Sequence, residues 1–147
     1  MECEVGRPVY STMRRGEAIA QSAAIFIGRI ADAEQHIRPG VQAIAVLDVI
    51  KQCELRPLST GVVISVGHGG YDKATRLSAA QAATGRTVSY PAVRYETPIR
   101  LLPTEVMPHV FFVALSEAID FELVADGSIE VLEMAEDIRL RVSELKK

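Results

Sequence analysis

The sequence predicts a mainly β protein: a small barrel of five to six strands, with a short N-terminal helix and a C-terminal amphipathic helix. Three observations lead there. Segments rich in Val, Ile and Phe recur at strand-like lengths, and their β-branched density disfavours helix. Gly28 stands in the middle of the first such segment, as it would at a bulge or a sharp coil of the sheet. With so few strands, closing the sheet is the economical way to remove exposed edges. The 147 residues fit one domain, 1–147, with a single substantial core.

Residues 1–10 read as irregular, broken by Gly6 and Pro8. Ser11 and Thr12 are candidate caps for a helix reaching about Gln21 or Ser22, with Met13, Ala18 and Ile19 as its buried stripe. Gly16 should keep it short. The first strand is AAIFIGRI, residues 23–30. Pro39 and Gly40 then turn the chain into a second strand within 41–54, and VVISV, 62–66, gives a third, so the three form a meander. From 67 to 108 periodicity fades and prolines accumulate. Within this excursion LSAAQAATG, 77–85, suits one or two helical turns ended by Gly85, and RTVSYPAVRYET suits an edge strand or arm. HVFFVALSE, 109–117, is the most apolar strand. DFELVADGSIEVLE reads as a hairpin turning on Asp126 and Gly127. The tail is an amphipathic helix with Met134, Ile138, Val142 and Leu145 on one stripe.

Composition limits the function classes. Apolar residues make up 48% and charged residues 24%, the balance of a globular chain rather than a disordered one. Net charge is -3 with both signs dispersed, which argues against binding a phosphate backbone. Aromatic residues are 5% and Trp is absent, a poor supply of stacking platforms. No apolar run is long enough to span a membrane. Met1 is followed directly by Glu2 and Cys3, which leaves both a native start and a removed leader open. Cys3 and Cys53 are either two independent thiols or one disulfide of an oxidising compartment.

Several residues resemble the netrin-like domain, the five-stranded OB barrel shared with the tissue inhibitors of metalloproteinases. Ala23, Ala24, Ile25, Phe26, Ile27, Gly28, Arg29 and Ile30 match its first strand of small residues followed by a hydrophobic-Phe-hydrophobic-Gly-Arg run. LDVIKQ is similar to the end of its second strand, and Val110, Phe111, Phe112, Val113 and Ala114 are similar to its fourth. The closing helix, rich in Asp and Glu, follows the same pattern. The resemblance implies an OB-like barrel and export. It departs in its cysteines: the family carries several, and the Cys-x-Cys start is missing because position 5 is Val5. Protease inhibition through an N-terminal cysteine amine is not implied, because Cys3 is not N-terminal.

SVGHGGYDKATR, 65–76, carries the most conspicuous polar cluster. It lacks the spacings of a P-loop or a dinucleotide fingerprint, so it reads as the exit from the third strand, with Gly67, Gly69 and Gly70 taking positive φ. His36, His68 and His109 lack ligand spacing, and a metal site would need them to converge with Asp72, Glu105 or Cys53. Ser65 and His68 lie close without a nucleophile elbow, and Glu136 and Asp137 fall on a solvated helix face. No enzyme signature, metal or cofactor is expected. The expected function is a non-enzymatic, exported module that binds another protein through the 67–108 excursion. Its candidate binding residues are His68, Tyr90, Arg94, Tyr95 and Arg100. An OB-type binder of single-stranded nucleic acid and an enzyme with a histidine-lined rim are the alternatives.

Overall fold

A computed structural model describes residues 9–31, 40–85 and 91–145. In chain order the elements are β1 (Val9–Met13), α1 (Arg15–Gln21), β2 (Ala24–Ile30), β3 (Val41–Lys51), β4 (Val63–Gly67) and α2 (Tyr71–Thr84). They continue with β5 (Pro91–Tyr95), β6 (His109–Leu115), β7 (Phe121–Leu123), β8 (Ile129–Val131), a single 3-10 turn at Leu132–Met134 and α3 (Ala135–Leu145). No helix among the described residues is long and apolar enough to cross a membrane.

β2, β3 and β4 form the expected antiparallel meander. β4 then pairs in parallel with β7, β7 pairs with β6, and β6 pairs back onto β2, closing a five-stranded barrel of OB-type strand order with α2 between its third and fourth strands. The register of β2 against β3 shifts between Ile27 and Gly28. A Cβ at Gly28 would lie 2.8 Å from Ile44 Cγ2 and 2.9 Å from the carbonyl oxygen of Ala45, so the sheet coils tightly there because no side chain intervenes.

Strands β2 and β6 are buried on both faces, which explains their near-continuous apolar runs. Phe26, Ile44, Val46, Phe111, Val113 and Phe121 fill the barrel, where Phe26 stacks on Phe111 with ring centroids 5.3 Å apart. The alternate residues Ile25, Val110 and Phe112 face outward beneath Ala18 and Ile19 of α1 and Ile138 and Val142 of α3. Alternation within one strand therefore separates two apolar clusters.

Several expectations change. Ser11 and Thr12 do not cap α1: they belong to β1, which pairs in parallel with β5, and the helix starts at Arg15 with no side-chain cap. α2 is longer than expected, 14 residues from Tyr71, and starts after left-handed Gly70 with no capping side chain to signal it; Gly85 closes it as expected, with a left-handed backbone and an N–H bonded to the Gln81 carbonyl. β7 and β8 do not form a hairpin. Both pair with β6, β7 along its C-terminal half and β8 along its N-terminal half, with the Asp126–Gly127 turn between them. On α3, Ile138 and Val142 are buried as the stripe requires, but Leu145 is 54% exposed and Ala135 takes the inner position. The Arg139–Asp48 ion pair reaches from the helix to β3.

Candidate functional site

Both ends of the 67–108 excursion return to one rim of the barrel and enclose a cleft. One wall is the segment from His68 into the first turns of α2. The other is Val93 and Arg94 of β5 followed by Pro98–Leu101, and the turn at 124–127 forms the base. The cleft has two lobes, of about 260 and 520 Å3, and His68, Arg100 and Asp126 line both. The larger lobe falls within the size range of ligand sites.

Main-chain hydrogen bonds fix these walls. The N–H of Asp126 donates to the carbonyl of Val93 at 2.8 Å, and the N–H of Tyr95 donates to the carbonyl of Asp126 at 2.8 Å. The N–H of Ile99 donates to the carbonyl of Gly127 at 3.1 Å. Gly127 has φ of 72° and would drive a Cβ to 2.5 Å from Pro98 Cβ, so the turn requires glycine on both counts. On the opposite wall the N–H of Tyr71 donates to the carbonyl of His68 at 2.8 Å.

The three glycines of this wall do not share one role. Only Gly70 takes positive φ, at 86°. Gly67 and Gly69 are there for close approach: a Cβ on Gly69 would sit 2.2 Å from the carbonyl carbon of Ala125, and one on Gly67 would sit 2.8 Å from Tyr71 Cγ. The start of α2 is thereby pressed directly onto the base of the cleft.

Of the candidate binding residues, His68, Arg94 and Arg100 are brought together around this cleft. Tyr95 is not among its lining residues. It is 1% exposed, packs at 5.7 Å from Phe112, and donates its hydroxyl to Glu130 at 2.7 Å. The same Glu130 oxygen accepts from the Arg15 guanidinium, at 3.1 Å from Nη2, and from the Thr97 hydroxyl at 3.3 Å. Burial, then the bond to the Glu130 carboxylate, pushes the Tyr95 phenol well above its ordinary range, against the opposing pull of Arg15. This network ties α1, β5 and β8 together, so Tyr95 anchors the excursion. Tyr90, Cys3 and His36 lie outside the described residues. Cys53 is a buried free thiol whose Sγ accepts from the N–H of Arg56 at 3.4 Å.

Lys73 and Arg76 also line the larger lobe, with Glu122 behind them. Their spacing of three puts them on one helical face, a signal legible only once the helix is known to begin at Tyr71. Glu122 accepts the N–H of Asp72 at 3.0 Å, while the Asp72 carboxylate accepts the Ser116 hydroxyl at 2.7 Å and the N–H of Glu117 at 2.8 Å. The two carboxyls shift in opposite directions. Burial, reinforced by the nearby Asp72 charge, raises Glu122 against the backbone hydrogen bonds it accepts. Burial would also raise Asp72, but its hydrogen bonds from Ser116, Glu117 and Ala118, with Arg76 nearby, outweigh that and hold it below the usual carboxylate range.

Ser65 and His109 have partners of their own. The main-chain N–H of Ser65 donates to the Asp120 carboxylate, and the Ser65 hydroxyl accepts the Asp120 N–H, both at 3.0 Å. His109 Nδ1 lies 3.0 Å from the Met107 carbonyl oxygen. Among the described residues no group of three or more His, Cys, Asp and Glu side chains is placed to hold a metal. The arrangement offers cationic and hydrogen-bonding groups along an open cleft. No protein-family model matches the chain and no curated protein aligns with it, so the chemistry of this cleft stands on its own residues.

Proposed function

We propose that the chain is a non-enzymatic interaction module, exported and of netrin-like type, that binds another protein through its 67–108 excursion. The observation that carries the reading is the convergence of His68, Arg94 and Arg100, from opposite ends of the excursion, on one solvent-open cleft. Tyr95, held by Glu130, supports it from behind by fixing the outer wall to the barrel. A preformed wall lowers the ordering cost of binding. The netrin-like type rests on the sequence resemblance, and the segments that carry it fold as a β2 coiled at Gly28 within a meander, a β6 paired back onto β2, and a closing helix. A nucleic-acid reading would need exposed aromatic faces, and Phe26, Phe111, Phe112, Phe121 and Tyr95 are all core residues.

The test is a photo-crosslinking amino acid at Leu102, 67% exposed and one residue beyond the wall, compared with the same group at Leu140, 59% exposed on α3. A discrete protein adduct formed from position 102 and not from 140 in the source cells is the expected result. Equal labelling from both positions, or from neither, overturns the reading. Export is checked separately by fractionating the full-length protein from its own gene start; its recovery only in the cytosol removes that part.

A further inference from the structure

Building on the proposed interaction role, we infer that the partner presents an extended acidic segment, whose carboxylates meet the cations lining the two lobes of the cleft. The chain carries a net charge of -3, yet this surface reverses the sign. Arg94 and Arg100 line the smaller lobe and Lys73, Arg76 and Arg100 the larger, with His68 at their junction. Glu122, which accepts the Asp72 N–H, and Asp126, which faces Arg94 at 4.0 Å, are the acidic side chains among the lining residues, so the cations outnumber them.

Two of the cations are available to a ligand. Arg100 makes no ion pair or side-chain hydrogen bond with any described residue, although it sits where both lobes meet. Arg76 reaches Glu117 at 3.9 Å, but the two side chains are 69% and 84% exposed, so that pair is weak and readily exchanged for a partner's carboxylate. Charges spread over two lobes suit a chain advancing about 3.3 Å per residue better than one compact anion. Tyr71 is the one aromatic side chain lining the cleft among the described residues, which gives successive bases nothing to stack on.

The experiment titrates the purified protein with three fluorescein-labelled probes: a peptide of alternating Glu and Ser, its Lys–Ser counterpart, and a single-stranded oligothymidylate. The Glu–Ser peptide should bind saturably and more weakly as salt rises. Arg100→Glu and Arg76→Glu should each weaken it about tenfold, while Arg141→Glu on α3 should leave it unchanged. Both cleft positions are exposed, so far-ultraviolet circular dichroism should show each variant folded. No binding of the Glu–Ser peptide, equal binding of the Lys–Ser peptide, or indifference to Arg100→Glu overturns the inference. If the Leu102 crosslink still captures a protein in that case, the interaction role stands without the acidic partner. Tighter binding of the oligothymidylate, lost in the same variants, overturns both.

Discussion

Gly69→Ala tests whether the cleft depends on direct backbone contact. The added Cβ would meet the Ala125 carbonyl carbon at 2.2 Å, the Asp126 nitrogen at 2.3 Å and the Ala125 oxygen at 2.6 Å. Ordinary carbon contacts lie at about 3.5–4.0 Å, so α2 and the 124–127 turn must separate by roughly an ångström or more. All three obstacles are main-chain atoms, and no rotamer change relieves them. The same turn holds the hydrogen bonds of Asp126 to Val93 and of Tyr95 to Asp126. Overpacking costs about 1–3 kcal/mol, and a strained or lost hydrogen bond adds about 1 kcal/mol, giving roughly 2–4 kcal/mol in total. At this chain length that lowers Tm by roughly 4–16 °C. Gly70→Ala provides the contrast: nothing lies within 4 Å of its Cβ, and its cost comes only from φ of 86°. That cost is about 1–2 kcal/mol, and Gly70→Asn recovers part of it because Asn tolerates the left-handed region. Urea unfolding of the three variants, with m compared to wild type, measures all of this. A Gly69→Ala protein within about 0.5 kcal/mol of wild type, or no less stable than Gly70→Ala, would refute the reasoning.

The Glu130 network should behave as a coupled unit. Tyr95→Phe is expected to cost about 1–2 kcal/mol, Glu130→Ala about 3 kcal/mol or more, and the double variant less than their sum; additivity in urea melts would count against coupling. Acid titration should separate the two carboxyls beside the cleft. Asp72 is depressed in the fold, so its stabilisation is present above its unfolded pKa and is lost as pH falls through the folded value; Asp72→Asn should flatten that limb. Glu122 is raised, so it costs stability while ionised and relieves that cost as pH falls through its folded value. Glu122→Gln, which keeps an acceptor for the Asp72 N–H, should therefore match or exceed wild-type stability at neutral pH, and a marked loss there would contradict this sign. Arg76→Gln should change stability by less than about 0.5 kcal/mol, because its ion pair with Glu117 is exposed; a larger loss on urea unfolding would show a structural role instead.

The barrel was legible where local pattern and tertiary demand agree. Gly28 inside a run of Ile and Phe marked the coil of β2, and the apolar density of 109–115 marked a strand buried on both faces. What stayed hidden depended on partners distant in sequence. Nothing in VYSTM announces a parallel pairing with PAVRY, since the bonds that make β1 a strand come from the other end of the excursion. The hairpin expected around Asp126–Gly127 failed for the same reason: the turn residues are correct, but β6 offers both flanking segments a better partner than each other. At the site, Arg94 and Arg100 stood out as an interleaved basic and aromatic cluster. That cluster could not reveal that Tyr95 points to Glu130 while the arginines border the cleft. Lys73 and Arg76 lie in a stretch that reads as a strand exit rather than as one face of a helix, because a left-handed glycine is a weak signal for a helix start.

The ribbon of β1 and β5 also sets the order in which the cleft can arise. Its two strands come from residues 9–13 and 91–95, so the first waits unpaired until most of the barrel sequence has emerged. Closing so long a loop is slow and gains nothing until it is complete. The outer wall of the cleft rests on that late pairing, and Arg94 belongs to it. A nascent or partly unfolded chain therefore displays its cations without the cleft that arranges them, and the cleft becomes a property of the finished molecule alone.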